Sequence, residues 1–252
     1  MSFEEGPAIS SRPPNNLLRH LSNDDYALIS PHLEILSMDV DKALYNPGDD
    51  VETVYFPCEA SAACFIVAIE DGREVQVVLV GREGAVGGIV SQGRLPAYSR
   101  ITVRFGGNFA RIPVTRLEAA KKKSTTLANM LARYADCLLA QTLQGSACNA
   151  AHSIEQRTAK WILAATDRTG RQVVPLSHEQ LATMLGVGRS YASRVIKAFK
   201  AAGVIETKRL AFHVLDRPSL RAKSCNCDEL VRTHFAEVLS GSYPDPRRAR
   251  RR

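Results

Sequence analysis

The chain has 252 residues, 45% of them hydrophobic and 23% charged, with a formal net charge of +7. That length holds one large domain or two ordinary ones, and the composition is globular rather than disordered. No run of about 18 apolar residues occurs, which argues against a membrane-spanning helix. The polar opening MSFEEGPAISSRPPNN lacks the apolar core of a secretory signal, so the expected compartment is the cytoplasm.

The charge is unevenly spread. Residues 150–252 hold 19 Lys/Arg against 9 Asp/Glu, a surplus of +10, whereas residues 1–149 hold 14 against 17, a net −3. A basic C-terminal part suits a module that meets a polyanion. Some of that surplus is the terminal RRARRR, which reads equally as a phosphate-binding arm or a solvated tail.

Residues 1–15 are Pro- and Ser-rich and are expected to be disordered. Apolar residues at helical spacing over Asn16–Leu36 predict two short helices that split near Ser22-Asn23-Asp24, with Ser22 or Asn23 as cap. The period then changes to two, predicting strands over Val40–Leu44, Val51–Phe56, Ala62–Ile69, Val75–Val80, Ile101–Phe105 and Asn108–Ile112. Asp71-Gly72 reads as a type I′ hairpin turn. Many short strands at regular spacing argue for a β-sandwich or barrel.

Val114–Lys123 is helical again, and a long helix is expected over about Thr125–Asn149. Within it Leu127, Leu131, Tyr134, Leu138 and Gln141 fall at 4-3-4-3 spacing, which predicts a dimer seam. The alternative is a helix that packs only on its own β-domain. A further helix follows over Ile154–Arg168, with Ser153 as cap and Gly170 as stop.

Leu176–Ile205 reads as helix-turn-helix. Ser177 and Gln180 form a capping box, Ala182 is small where two helices cross, and Gly186 supplies the positive φ of the turn. The second helix, about Arg189–Ala202, buries Ala192, Val195, Ile196 and Phe199. Its other face carries Arg189, Ser190, Ser193 and Arg194 at the end that enters a major groove, where they are the candidate base contacts. Ser177, Lys197, Lys200, Lys208 and Arg209 are the candidate backbone contacts, the last two on a turn between two short strands that would form a wing. A winged helix can instead serve protein contact, but this face is basic.

The order of parts, with Tyr45-Asn46-Pro47-Gly48-Asp49, Val54-Tyr55-Phe56, Asp71-Gly72-Arg73, Gly81-Arg82-Glu83-Gly84 and the helix-turn-helix, resembles the Crp/Fnr family of bacterial transcription regulators over about residues 16–216. The resemblance implies an α+β chain. A double-stranded β-helix, jelly-roll-like roll of cyclic-nucleotide-binding type would span 16–124, a dimerisation helix and hinge 125–149, a winged helix-turn-helix 150–218, and a C-terminal helix with basic tail 219–252. It implies a homodimer on a pseudo-palindromic site in double-stranded DNA, with RNA polymerase as a further partner. Ser190 stands where the family usually has Glu, so the half-site need not be the usual one.

The candidate effector pocket implied by the resemblance is Gly84, Val86, Tyr98, Ser99 and Arg100. Val86 occupies the position of the family's ribose-binding Glu, and Tyr98 that of its phosphate-binding Arg. Cyclic nucleotide is therefore not expected. Nor is an iron–sulfur cluster of the family's N-terminal type, since the first cysteine is Cys58. The roll is read as gated by an unidentified effector, or as purely structural in a constitutive DNA binder.

A metal-dependent cupin enzyme would need ligands inside the roll, yet none of the six histidines (20, 32, 152, 178, 213, 234) lies between 33 and 151. No nucleophile–base pair or phosphate loop occurs, so no enzyme is expected. The six cysteines are expected to be reduced thiols. Cys225-x-Cys227 with Cys148 could bind metal or sense oxidation, but free thiols are the favoured reading, and neither metal nor cofactor is expected.

Overall fold

The computed structural model describes residues 12–91, 93–208 and 211–240. The N-terminal unit begins with α1 (Asn16–His20) and α2 (Asn23–Ile29). Each starts on a side-chain cap: Asn15 Oδ1 accepts from Leu18 N–H at 3.0 Å, and Ser22 Oγ from Asp25 N–H at 3.1 Å. Asn15 also donates to the Pro57 and Gly84 carbonyls, both at 2.8 Å, and Arg12 Nη1 donates to Leu21 O at 2.6 Å. Residues 12–15 are thus held by hydrogen bonds, against the disorder expected through residue 15. Residues 1–11 lie outside the described residues.

Strands β1 (Glu34–Met38), β2 (Ala43–Tyr45), β3 (Thr53–Pro57), β4 (Ala62–Ala68), β5 (Glu74–Val80), β6 (Arg100–Phe105) and β7 (Gly107–Pro113) build the roll. They form two antiparallel sheets, β1-β7-β3 and β2-β6-β4-β5. Register shifts at Ala43/Tyr45, Ala62/Ala63 and Phe65/Ile66 bend the larger sheet. Alternation assigns the two faces. Phe109 packs inside the roll with Val103 and Val80, while Ala110 and Ile112 face the helices.

Three local expectations are corrected. The helical reading to Leu36 overran, because Glu34–Met38 pairs with β7 as an edge strand. The strand expected at Val40–Leu44 shrinks to Ala43–Tyr45, leaving Val40 exposed. The turn at Asp71-Gly72 is not type I′: Gly72 has φ 80°, but Asp71 is not at positive φ. Gly72 N–H donates to Ile69 O at 2.9 Å, so the left-handed glycine follows the turn instead of sitting at its centre.

Helix α3 (Val114–Lys123) leads to α4 (Thr125–Ala151), which runs two residues past the expected end. The expected seam is also corrected. Leu127, Leu131 and Tyr134 are buried against the protein's own roll, Leu138 packs there in part, and Gln141 Nε2 donates to Leu79 O at 3.1 Å. Period alone does not say which partner a seam meets. The outward apolar residues are Leu139 and Leu143, 58% and 63% exposed.

The chain continues through α5 (Ile154–Thr169), β8 (Val173–Val174), α6 (His178–Leu185), α7 (Arg189–Ala201), β9 (Ile205–Lys208), β10 (Ala211–Val214), α8 (Arg217–Ala222) and α9 (Cys227–Ser240). The strands form a small antiparallel sheet of order β8-β10-β9, the wing of a winged helix. Its core is continuous with the roll, since Leu181, Leu185 and Phe199 share one cluster with Cys64, Ile66 and Leu79. Helix α9 folds back on α4, with the Phe235 and Tyr134 rings edge to face at 6.2 Å. Arg168 ties roll, α5 and α9 together through Glu83 at 3.0 Å and Asp228 at 3.4 Å. Among the described residues no helix is long and apolar enough to cross a membrane.

Candidate nucleic-acid interface

Local chemistry sets the bihelical unit. Ser177 Oγ accepts from Gln180 N–H at 3.1 Å, and Gln180 Oε1 accepts from Ser177 N–H at 2.9 Å. The first helix stops at Gly186, φ 65°, where a side chain would be strained. Ala182 is buried at the crossing, and Leu181, Leu185, Ala192, Ile196 and Phe199 fill the space between the helices. Arg157 Nη2 donates to Leu185 O at 2.8 Å, which satisfies a carbonyl at the end of α6 and fixes α5 to it.

That packing leaves one face of α7 outward. Arg189, Ser190, Arg194, Lys197 and Lys200 are exposed, as is Lys208 at the end of β9. Among the described residues none of these five cations forms a salt bridge, although Arg168, Arg217 and Arg232 on α5, α8 and α9 all do. Ser193 differs. It is half-buried, and its Oγ lies 2.9 Å from His178 Nδ1, so it is already engaged inside the domain. Arg209 lies outside the described residues.

Two side chains that the sequence reading passed over shape this face. Tyr191, 41% exposed, lies under the Arg194 guanidinium at 4.8 Å from the ring centroid. A cation over a ring is held without losing its hydrogen-bond donors, so Tyr191 aims Arg194 outward. His178 sits between Ser193 and the Phe212 ring, the latter at 5.5 Å. Burial first, and then the charges of Arg189 and Lys200, hold its imidazole below the usual histidine range. Tyr191 was legible as the one aromatic residue three positions before Arg194 on the polar face. His178 carried no signal apart from its place beside the cap.

The five expected effector residues are not gathered into one site. The Tyr134 ring fills the space before Gly84, where an added Cβ would stand 2.0 Å from the phenol oxygen. That hydroxyl donates to Ala85 O and accepts from Ala85 N–H, both at 2.9 Å, and burial raises its pKa. Val86 is buried and bridges to Tyr55. Tyr98 is 87% exposed, Ser99 is buried, and Arg100 pairs with Glu74 across β4. A separate cleft of about 420 Å³ opens between the roll, α4, α5 and α9, with Arg82, Gln141, Arg168, Arg232 and Phe235 in its lining.

Residues 156–223 match the family described as Crp-like helix-turn-helix domain. A search of curated proteins finds no match. Among solved structures, FixK2 from Bradyrhizobium japonicum is 16% identical, with 77% of this chain and 98% of that one covered and a TM-score of 0.65. A Crp/Fnr-family transcriptional regulator from Eubacterium rectale is 18% identical, covering 82% and 96% at 0.63. The c-di-GMP-responsive global regulator CLP of Xanthomonas campestris is 18% identical, covering 77% and 99% at 0.60. At these identities the likeness is one of fold.

Proposed function

We propose that this protein, which has the fold of a Crp/Fnr-type transcription regulator with a Crp-like helix-turn-helix domain, binds double-stranded DNA sequence-specifically as a homodimer. The observation that carries this reading is the outer face of α7. There a capped, glycine-turned pair of helices presents Arg189, Arg194, Lys197 and Lys200 to solvent, with no salt bridge to a carboxylate among the described residues. Arg189 and Arg194 suit bidentate contact with guanine O6 and N7, and Ser190 contacts any base. Lys197, Lys200 and Lys208 meet phosphates, as does the Ser177 hydroxyl at the start of α6. With Ser193 held by His178, base reading rests chiefly on the two arginines.

Two copies join along the outward face of α4. Exposed Ala132, Asp136, Leu139, Leu143, Ala147 and Ala150 recur there at three- and four-residue intervals. Two-fold symmetry then sets the half-sites about one helical turn apart. The core shared by the roll and α6 supports control of α7 by the roll, with transcription changed through contact with RNA polymerase.

Selection of bound duplexes from a random pool tests this reading. A pseudo-palindrome with half-sites about 10 base pairs apart is expected. Recovery of unrelated sequences at every salt concentration would overturn sequence-specific binding. A thermal-shift screen of small metabolites, repeated with the selected DNA, separates a gated roll from a structural one. A ligand that raises both stability and DNA affinity supports gating.

A further inference from the structure

Four side chains from two distant parts of the sequence meet at the hinge between the long helix and the DNA-binding unit. Cys148 lies in the last turn of α4 and His152 is the residue that ends it, its N–H donating to Cys148 O at 3.1 Å. Four-residue spacing puts the thiol and the imidazole on the same side. Cys225 comes from the turn between α8 and α9, and Cys227 is the first residue of α9. Cys148 Sγ and Cys225 Sγ are 3.6 Å apart, Cys227 Sγ and His152 Nδ1 are 3.6 Å apart, and all four ligand atoms lie within 4.8 Å of one another.

We infer that Cys148, His152, Cys225 and Cys227 form a tetrahedral metal site for one divalent zinc-type ion, which staples the C-terminal helix to the hinge. The inference goes beyond DNA binding and does not depend on it.

The geometry fits that ion. Zinc–sulfur bonds of about 2.3 Å and zinc–nitrogen bonds of about 2.0–2.1 Å give tetrahedral edges of about 3.8 Å between sulfurs and about 3.6 Å between sulfur and nitrogen. The two 3.6 Å separations are such edges within a few tenths of an ångström. Three sulfurs and one imidazole are a closed structural zinc set, and soft thiolates select zinc over magnesium or calcium. Ligand atoms this close enclose one ion, while an iron–sulfur cluster would need them spread around a second iron and its sulfides.

The surroundings are those of negative sulfur. The three cysteines form a small buried cluster with no aliphatic member. Lys160 Nζ lies 3.2 Å from Cys148 Sγ, and Gln144 Nε2 lies 3.2 Å from Cys227 Sγ. Buried Arg157 is within electrostatic reach of Cys148 and Cys225. Three thiolates and a divalent ion leave one negative charge, which these cations offset. Donors to ligand sulfur of this kind orient and tune metal sites. An opening of about 350 Å³ beside His152, Cys225 and Cys227 gives an entry path.

The consequence is mechanical. Cys227 starts α9, which packs along α4 and places Phe235 against Tyr134. Loading the site fixes the end of α4, the start of α5 and α9 as one piece. Full-length protein purified under anaerobic, reducing conditions should carry one zinc per chain by elemental analysis. Reconstitution with cobalt(II) should give the visible bands of a tetrahedral site and thiolate-to-cobalt charge transfer. Cys225→Ser and Cys227→Ser should each lose the metal, His152→Ala should bind it more weakly, and Cys58→Ala should keep it. Removing the metal should raise amide exchange over residues 148–154 and 225–240 and leave residues 100–113 unchanged. If the ligand variants fail to fold, the wild-type cobalt spectrum still decides. Wild-type protein that takes up neither zinc nor cobalt, an octahedral cobalt spectrum, bound iron with acid-labile sulfide, or a Cys148–Cys225 disulfide in the anaerobic protein would each overturn the inference.

Discussion

The two halves of α4 do different jobs with similar residues. In the first half Leu127, Met130, Leu131, Tyr134 and Cys137 are buried against the roll, and the Tyr134 hydroxyl closes both backbone hydrogen bonds of Ala85. In the second half Leu139 and Leu143 face solvent, and the Cys148 thiol lies 3.6 Å from that of Cys225, far along the chain. The first half is packed on the protein's own roll, whereas the second exposes the two leucines proposed above as the dimer face.

Breaking the anchored half should have the largest effect. Tyr134→Ala should cost about 3–5 kcal/mol of stability, from the cavity and the unpaired Ala85 amide together. Tyr134→Phe should cost about 1–3 kcal/mol, the share of the hydrogen bonds, and urea unfolding measures both. The outer half should respond differently. Leu139→Glu with Leu143→Glu should turn a dimer into a folded monomer by sedimentation, with α-helical content retained. A variant that stays dimeric would place the interface elsewhere.

Smaller effects sharpen the comparison at the DNA face. Lys208→Ala should weaken binding to all duplexes alike and lower the slope of log affinity against log salt by about one. The smallest is a pH effect. The imidazole of His178 titrates below its unfolded value of about 6.5, so its contribution to stability is present above that pH and fades as pH falls through the folded value. His178→Gln should flatten the fall in stability as pH drops below about 6.5, measured by thermal unfolding at a series of pH values.

The helix-turn-helix was legible in the sequence because its rules are local. Ser177, Gln180, Ala182 and Gly186 lie within ten residues, and each does what its residue type permits there. Features set by distant contacts were not legible. The inward turn of the Leu127–Tyr134 seam depends on Ala85, forty-nine residues from Tyr134. The edge strand Glu34–Met38 depends on β7, more than sixty residues on, while its own residues continue a helical pattern. The effector residues were placed by family position, yet a glycine that lets a tyrosine close over it looks the same in sequence as a glycine lining a pocket. Cys148, Cys225 and Cys227 were singled out, but His152, which completes the set, was visible only as a residue four places after a cysteine at a helix end.

The central claim is that the α7 face reads bases. Its most direct test is the affinity of wild type and Arg194→Ala for the selected site and for a random duplex at one salt concentration. The account predicts that Arg194→Ala loses about 1–3 kcal/mol on the selected site and much less on the random duplex, so the specificity ratio falls. An unchanged ratio would contradict it.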